Sequence, residues 1–167
     1  MTVWKHILIM KNNKTVVVWV VIGIVLLGGL FMWPKFSNPY RGDIKAWERA
    51  GVDCLPSHTR AALHIHPHLT ITVDGTQEDI PQNTGIVRGC MAELHTHEGD
   101  GTIHAESVLA AKEFTLGQFL LIYKKPYERE GYTVSMKVDG VESQEGEDLV
   151  LRDKQDVVLE YTQGGDQ

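Results

Sequence analysis

Between Thr15 and Trp33 the chain reads Thr-Val-Val-Val-Trp-Val-Val-Ile-Gly-Ile-Val-Leu-Leu-Gly-Gly-Leu-Phe-Met-Trp, without one charged residue. At about 1.5 Å per helical residue, a helix of this length spans a hydrocarbon layer about 30 Å thick. The run predicts a transmembrane helix over residues 15–33, and hence a single-pass protein with the lipid bilayer as a partner. Lys5, Lys11 and Lys14 precede it. The positive-inside bias keeps residues 1–14 in the cytoplasm and sends everything after the helix outward. A cleaved signal peptide is the competing reading, but its apolar core is usually shorter, and Met32-Trp33-Pro34 is not a small-x-small cleavage site. Met10, ahead of Lys11-Asn12-Asn13-Lys14, is an alternative start that leaves this topology unchanged.

Beyond the anchor, 13 basic residues face 22 acidic ones, a formal balance of −9. This excludes nucleic acid as a partner class, since its binders concentrate positive charge, and it suits a solvated domain that attracts cations. Residues 34–51 mix Pro, Gly, Asn and charge and read as a stalk, with a short helix possible around Asp43 to Ala50. The outer domain is expected over 52–162 and a tail over 163–167. That length suffices for one modest core. Cys54 and Cys90 lie in what is then an oxidising compartment, where a pair becomes a disulfide; the alternative makes Cys90 a thiolate ligand beside His95.

From Leu63 to Val73 apolar residues occupy the odd positions, while His64, His66, His68, Thr70 and Thr72 fill the even ones. A period of two predicts a strand with one buried face and one histidine-bearing face. Pro67 has no ladder donor, which puts this strand at an edge or gives it a bulge. Asp74-Gly75 predicts a turn, and residues 76–88 read as a loop. Residues 90–107 read as a hairpin about Gly99-Asp100-Gly101. Two-residue and four-residue turns both place His95, His97, His104 and Glu106 on one face; the first opposes His97 to His104, the second His95 to His104. Thr115 and Gln118 form a capping-box pair ahead of Leu116, Phe119, Leu120 and Tyr123, a helix that Pro126 ends. Alternation at 132–138 and short apolar runs at 149–151 and 157–161 predict further strands. The sum is an α+β domain in which a small mixed or antiparallel sheet packs on one helix, in a β-grasp-like way. A cupredoxin-like β-sandwich is the alternative.

Seven of the eight histidines fall between His58 and His104, and five of them form His64-x-His66-x-His68 and His95-x-His97. Side chains two apart on a strand share a face at about 7 Å, close enough for two imidazoles to meet one ion at about 2.0 Å. His104 adds a third nitrogen across the hairpin. Three imidazoles with an open position suit copper(II) or zinc. The expected metal set is His64, His66, His68, His95, His97, His104 and Glu106, with Glu93, Glu98 and Asp100 as further ligands, orienters or bases. His58 is a weak loop candidate, and His6 lies across the membrane. A pH-responsive cluster is the competing use of imidazoles on one face.

His64-x-His66-x-His68-Leu-Thr-Ile, Cys90 ahead of Leu94-His95-Thr96-His97, Gly101-Thr-Ile-His104-Ala-Glu106 and Phe114-Thr-Leu-Gly-Gln-Phe119 together resemble a largely uncharacterised set of membrane-anchored or secreted microbial domains. The likeness spans residues 64–123 and implies that the histidine strands and the helix form one domain. It brings no activity with it. Three functions follow from the residues. The first is an extracytoplasmic module that captures or passes on copper or zinc. The second is a zinc hydrolase or lyase at His95, His97 and His104, with Glu106 or Glu93 moving protons. This ligand pattern resembles that of the α-type carbonic anhydrases, although nothing else in the chain does. The third is a non-catalytic subunit binding other membrane proteins. No phosphate loop, Gly-x-Ser-x-Gly or Cys-x-x-Cys is present.

Overall fold

The computed structural model describes residues 3–36, 38–55 and 61–164, with side chains described at 14–30, 38–55 and 61–164. His58 and the end of the expected tail, 165–167, lie outside the described residues. Two compact units result, Met1–Pro39 and Tyr40–Gln167. The first carries one helix, α1 (Val3–Phe36). Its apolar side chains from Val16 to Leu30 are exposed. Among the described residues no helix is long and apolar enough to cross a membrane. The expected span continues through Phe31, Met32 and Trp33, whose side chains lie outside the described residues.

The second unit opens with α2 (Arg41–Arg49), which shortens the stalk expected over 34–51. Ile44 and Trp47, three residues apart, share a helical face, and Trp47 enters the core at 3% exposure. Burying a side chain of this size outweighs the polar composition that made the segment read as a linker. Gln118 Nε2 donates to Ala50 O (2.7 Å) and fixes the end of this helix.

The unit is α+β. A five-stranded sheet runs in the order β3 (Thr76–Glu78), β2 (His68–Val73), β10 (Asp156–Gln163), β8 (Tyr132–Val138), β9 (Val141–Ser143). Central β10 is parallel to β2 and antiparallel to β8. Its alternation buries Val157, Leu159 and Tyr161. Asp74-Gly75 and Asp139-Gly140 turn the β2–β3 and β8–β9 pairs, all four residues at positive φ, as tight hairpins require. Helix α3 (Leu116–Tyr123) starts on the expected capping box, Thr115 with Gln118. It stops at Lys124, which is left-handed at φ 62, two residues before Pro126.

The run 63–73 is two strands rather than one, and its histidines are thereby divided. β1 (Leu63–Ile65) belongs to a three-stranded sheet, β1–β7–β6, with β7 (His104–Ser107) in the middle and β6 (Leu94–His95) beyond it. β2 belongs to the larger sheet. The break falls at His66-Pro67, where the proline offers no amide hydrogen. The carbonyls there turn to other partners: Lys154 N donates to His66 O (3.2 Å) and Ile103 N to Pro67 O (2.9 Å). Residues 76–88, expected as loop, hold β3 and the short β4 (Ile86–Val87), which pairs with β5 (Cys90–Met91). Residues 149–151 form no strand. Val150 makes one bridge to Thr115, while Leu149 and Leu151 are buried. Apolar residues of both larger sheets and of α3 form one hydrophobic cluster, including Leu69, Leu159, Leu94, Ala105, Phe119 and Leu120.

Candidate metal centre

The centre is built on the outward face of the three-stranded sheet. β7 alternates His104, Ala105, Glu106, Ser107. Ala105 turns inward at 0% exposure, which leaves His104 and Glu106 together on the other face. β6 opposes His95 to His104, the register of the four-residue-turn alternative, although the connecting loop spans 96–103. β1 opposes His64 to Glu106. His97 lies beyond the end of β6, yet it is held in place through Thr96. The buried Thr96 Oγ1 donates to Pro81 O (2.8 Å) and accepts from Thr84 N (3.1 Å).

Five imidazoles and one carboxylate therefore converge. His64, His66 and His104 form one group and His95, His97 and His104 another, the ligand nitrogens within each lying within 4.8 Å of one another. Glu106, its side chain 2% exposed, places Oε1 3.2 Å from His64 Nε2 and 4.0 Å from both His95 Nε2 and His104 Nδ1. His95 and His97 bring their Nε2 atoms to 3.2 Å. Two nitrogens bound tetrahedrally to one ion at 2.0–2.1 Å are about 3.3 Å apart, so this spacing suits shared coordination. His104 Nδ1 is buried without a hydrogen-bond partner, an arrangement that costs stability unless a ligand completes it.

The proton position on His95 follows from its surroundings. Nδ1 lies 2.9 Å from Ala92 O, and a carbonyl only accepts, so Nδ1 carries the hydrogen and Nε2 keeps its lone pair toward the centre. Burial pushes this imidazole's pKa down to about 4. The neighbouring rings of His97 and His104 act in the same direction, while the Ala92 bond and the Glu106 carboxylate act against it. His104 is lowered as well, by burial first and then by the other rings. The unfolded chain takes up a proton on this histidine near 6.5, the folded one not until about 4. The stability due to neutral His95 is thus complete above 6.5 and lost as pH falls toward 4. In chelator-treated protein, urea unfolding is expected to lose about 2 kcal/mol from this group between pH 7 and pH 5. A His95→Gln variant should show a correspondingly flatter pH dependence.

His68, expected as a ligand, is placed elsewhere. It sits on β2 with Nε2 donating to Asp100 O (2.8 Å) and Nδ1 3.2 Å from Asp156 Oδ1. Nε2 ties the 96–103 loop to the larger sheet, and Nδ1 faces Asp156 on the neighbouring β10. Glu93 is buried on the opposite side of the histidine sheet, accepting from Ser107 Oγ (2.7 Å), from Asp53 N (2.9 Å) and from Lys112 Nζ. Glu98 is exposed. Asp100 accepts from Thr102 N (2.9 Å) within its loop. Cys54 and Cys90 form a disulfide, so Cys90 supplies no thiolate.

Two positions that sequence reasoning passed over support the site. Asp153 Oδ1 accepts from His66 N (3.0 Å), a contact across 87 residues that no local pattern announces. Gly85, at φ +83, lies so close to β6 that an added Cβ would meet Leu94 O at 2.4 Å and His95 Cα at 3.2 Å. Gly75, at φ +78, has open space around it. Gly85→Ala is therefore expected to lower unfolding free energy by about 2 kcal/mol and to weaken metal binding. Gly75→Ala should cost about 1 kcal/mol from backbone conformation alone, with binding intact. Urea unfolding and a zinc titration of both variants check this.

No family model, curated protein or solved structure matches the chain. The reading of the site rests on its geometry.

Proposed function

We propose that this protein is a membrane-anchored, extracytoplasmic module that captures a divalent transition metal, copper or zinc, and passes it on. The observation that carries the reading is the buried His95, its Nδ1–H held by Ala92 O and its Nε2 lone pair 3.2 Å from His97 Nε2. Beside it stands His104 with a buried, unpartnered Nδ1. Glu106 adds the negative charge that a buried dication needs. Imidazoles fixed on strands, as His95 and His104 are, lose little freedom on binding, which supports a dissociation constant below micromolar. Calorimetry of the chain, purified without a histidine tag and stripped of metal, tests this with zinc and copper(II) near neutral pH. Binding no tighter than to a variant lacking His95 and His97 would end the reading.

The anchor is part of the same proposal. Residues 15–33 are uncharged, and a helix apolar on every side is stable only in apolar surroundings. Lys5, Lys11 and Lys14 support a cytoplasmic N-terminus with the histidine domain outside. A disulfide supports an oxidising compartment. The strand order with a parallel central pair and a capped helix supports the β-grasp-like reading of the fold over a sandwich. A zinc hydrolase or lyase at the same residues is the second reading. Glu106 Oε1, 4.0 Å from His95 Nε2, favours it as the base.

A further inference from the structure

We propose that the histidine sheet gives one cation two successive positions, an outer one at His64, His66 and His104 and an inner one at His95, His97 and His104. The ion arrives at the first and rests in the second. This rests on the metal-centre reading and adds to it a direction of movement. The two groups share His104. A neutral imidazole offers one lone pair, so His104 completes only one group at a time and the two positions compete for the same ion.

The groups differ in access. The side chains of His64 and His66 are 48% and 41% exposed, that of His104 17% and that of His95 0%. An ion diffusing from solvent therefore meets His64 and His66 first. They also differ in preorganisation: the inner pair is set by the Ala92 and Thr96 contacts, which hold His95 Nε2 and His97 Nε2 at 3.2 Å before any ion arrives. A preset pair with one fully buried ring retains an ion better than two half-exposed rings that no such contacts set. Glu106 lies between the groups, with Oε1 3.2 Å from His64 Nε2 and 4.0 Å from His95 Nε2 and His104 Nδ1. Its charge stays beside the ion in both positions. In the transfer the bonds to His64 and His66 break as those to His95 and His97 form. The ion keeps its charge and no electron moves.

The test uses the full chain, without a histidine tag and stripped of metal. Zinc loading is followed by stopped flow, zinc release by transfer to an excess of chromogenic chelator, and zinc content by titration. The wild type should bind one zinc. A His64→Ala/His66→Ala double variant should still take one zinc at the wild-type affinity, while loading and releasing it about tenfold more slowly, because the ion passes the outer position in both directions. His97→Gln should load at the wild-type rate and release about tenfold faster. Far-ultraviolet circular dichroism confirms that the variants are folded, and His64→Gln/His66→Gln replaces the alanine pair if that does not fold. Two zinc ions per chain, or faster release from the double variant to the extent seen in His97→Gln, would overturn the two-position inference while leaving the metal centre standing. No zinc binding by the wild type would overturn the metal centre itself.

Discussion

His104→Ala is expected to weaken zinc and copper(II) binding by about a hundredfold, or about 2.7 kcal/mol, the largest loss from any single histidine. His104 is the only residue common to both imidazole groups. Its removal takes a ligand from each, whereas losing His64 or His97 leaves one group whole. The ring sits on the middle strand, opposite His95, with its centroid 4.6 Å from that of His97 and 4.8 Å from that of His66. Metal-free His104→Ala should be folded, and even slightly relieved, because it deletes the buried and unpartnered Nδ1. Competition titration against a chelator of known affinity measures the loss. An unchanged affinity in folded His104→Ala would remove the shared ligand from the account.

Opening the Cys54–Cys90 bridge is expected to cost about 4 kcal/mol of unfolding free energy, on the loop-entropy scale for a closure of 36 residues. For a domain of this size that is a large share of the total stability. The bridge ties the segment after α2 to β5, where Leu55 N donates to Met91 O (2.7 Å) and Glu93 N to Asp53 O (2.9 Å). Ala92, bridged to Cys54 along the backbone, is also the residue whose carbonyl orients His95. A Cys54→Ser/Cys90→Ser variant should therefore lose metal affinity as well as stability, because the His95 ring loses its fixed anchor. Urea unfolding of the oxidised, reduced and double-serine forms, each followed by a zinc titration, separates the two effects. Equal unfolding midpoints in all three would show that the bridge contributes nothing.

Local chemistry made part of this molecule legible. The Thr115–Gln118 capping box, the Asp74-Gly75 turn and the alternation at 132–138 each act over a few residues, and each is present as read. The parity of the hairpin likewise put His95, His104 and Glu106 on one face, since any even turn does so. What depended on distant partners was not legible. The alternation from Leu63 to Val73 continues unbroken through Pro67, yet the two halves join different sheets because Ser107 and Ala105 pair with one half and β10 with the other. His68 therefore left the ligand set although its sequence pattern equals that of His66. Glu93 looked like a candidate base until Lys112 and Ser107, far along the chain, were found to hold it. Trp47 made the stalk part of the core through contacts that composition does not record.

X-ray absorption at the zinc edge of the metal-loaded chain tests the central claim most directly, because it reports the ligand atoms themselves. The account predicts at least three imidazole nitrogens at about 2.0 Å, with any remaining ligand an oxygen and no sulfur at about 2.3 Å. A sulfur shell, or oxygens alone with no imidazole scattering, would contradict a centre built from His95, His97 and His104.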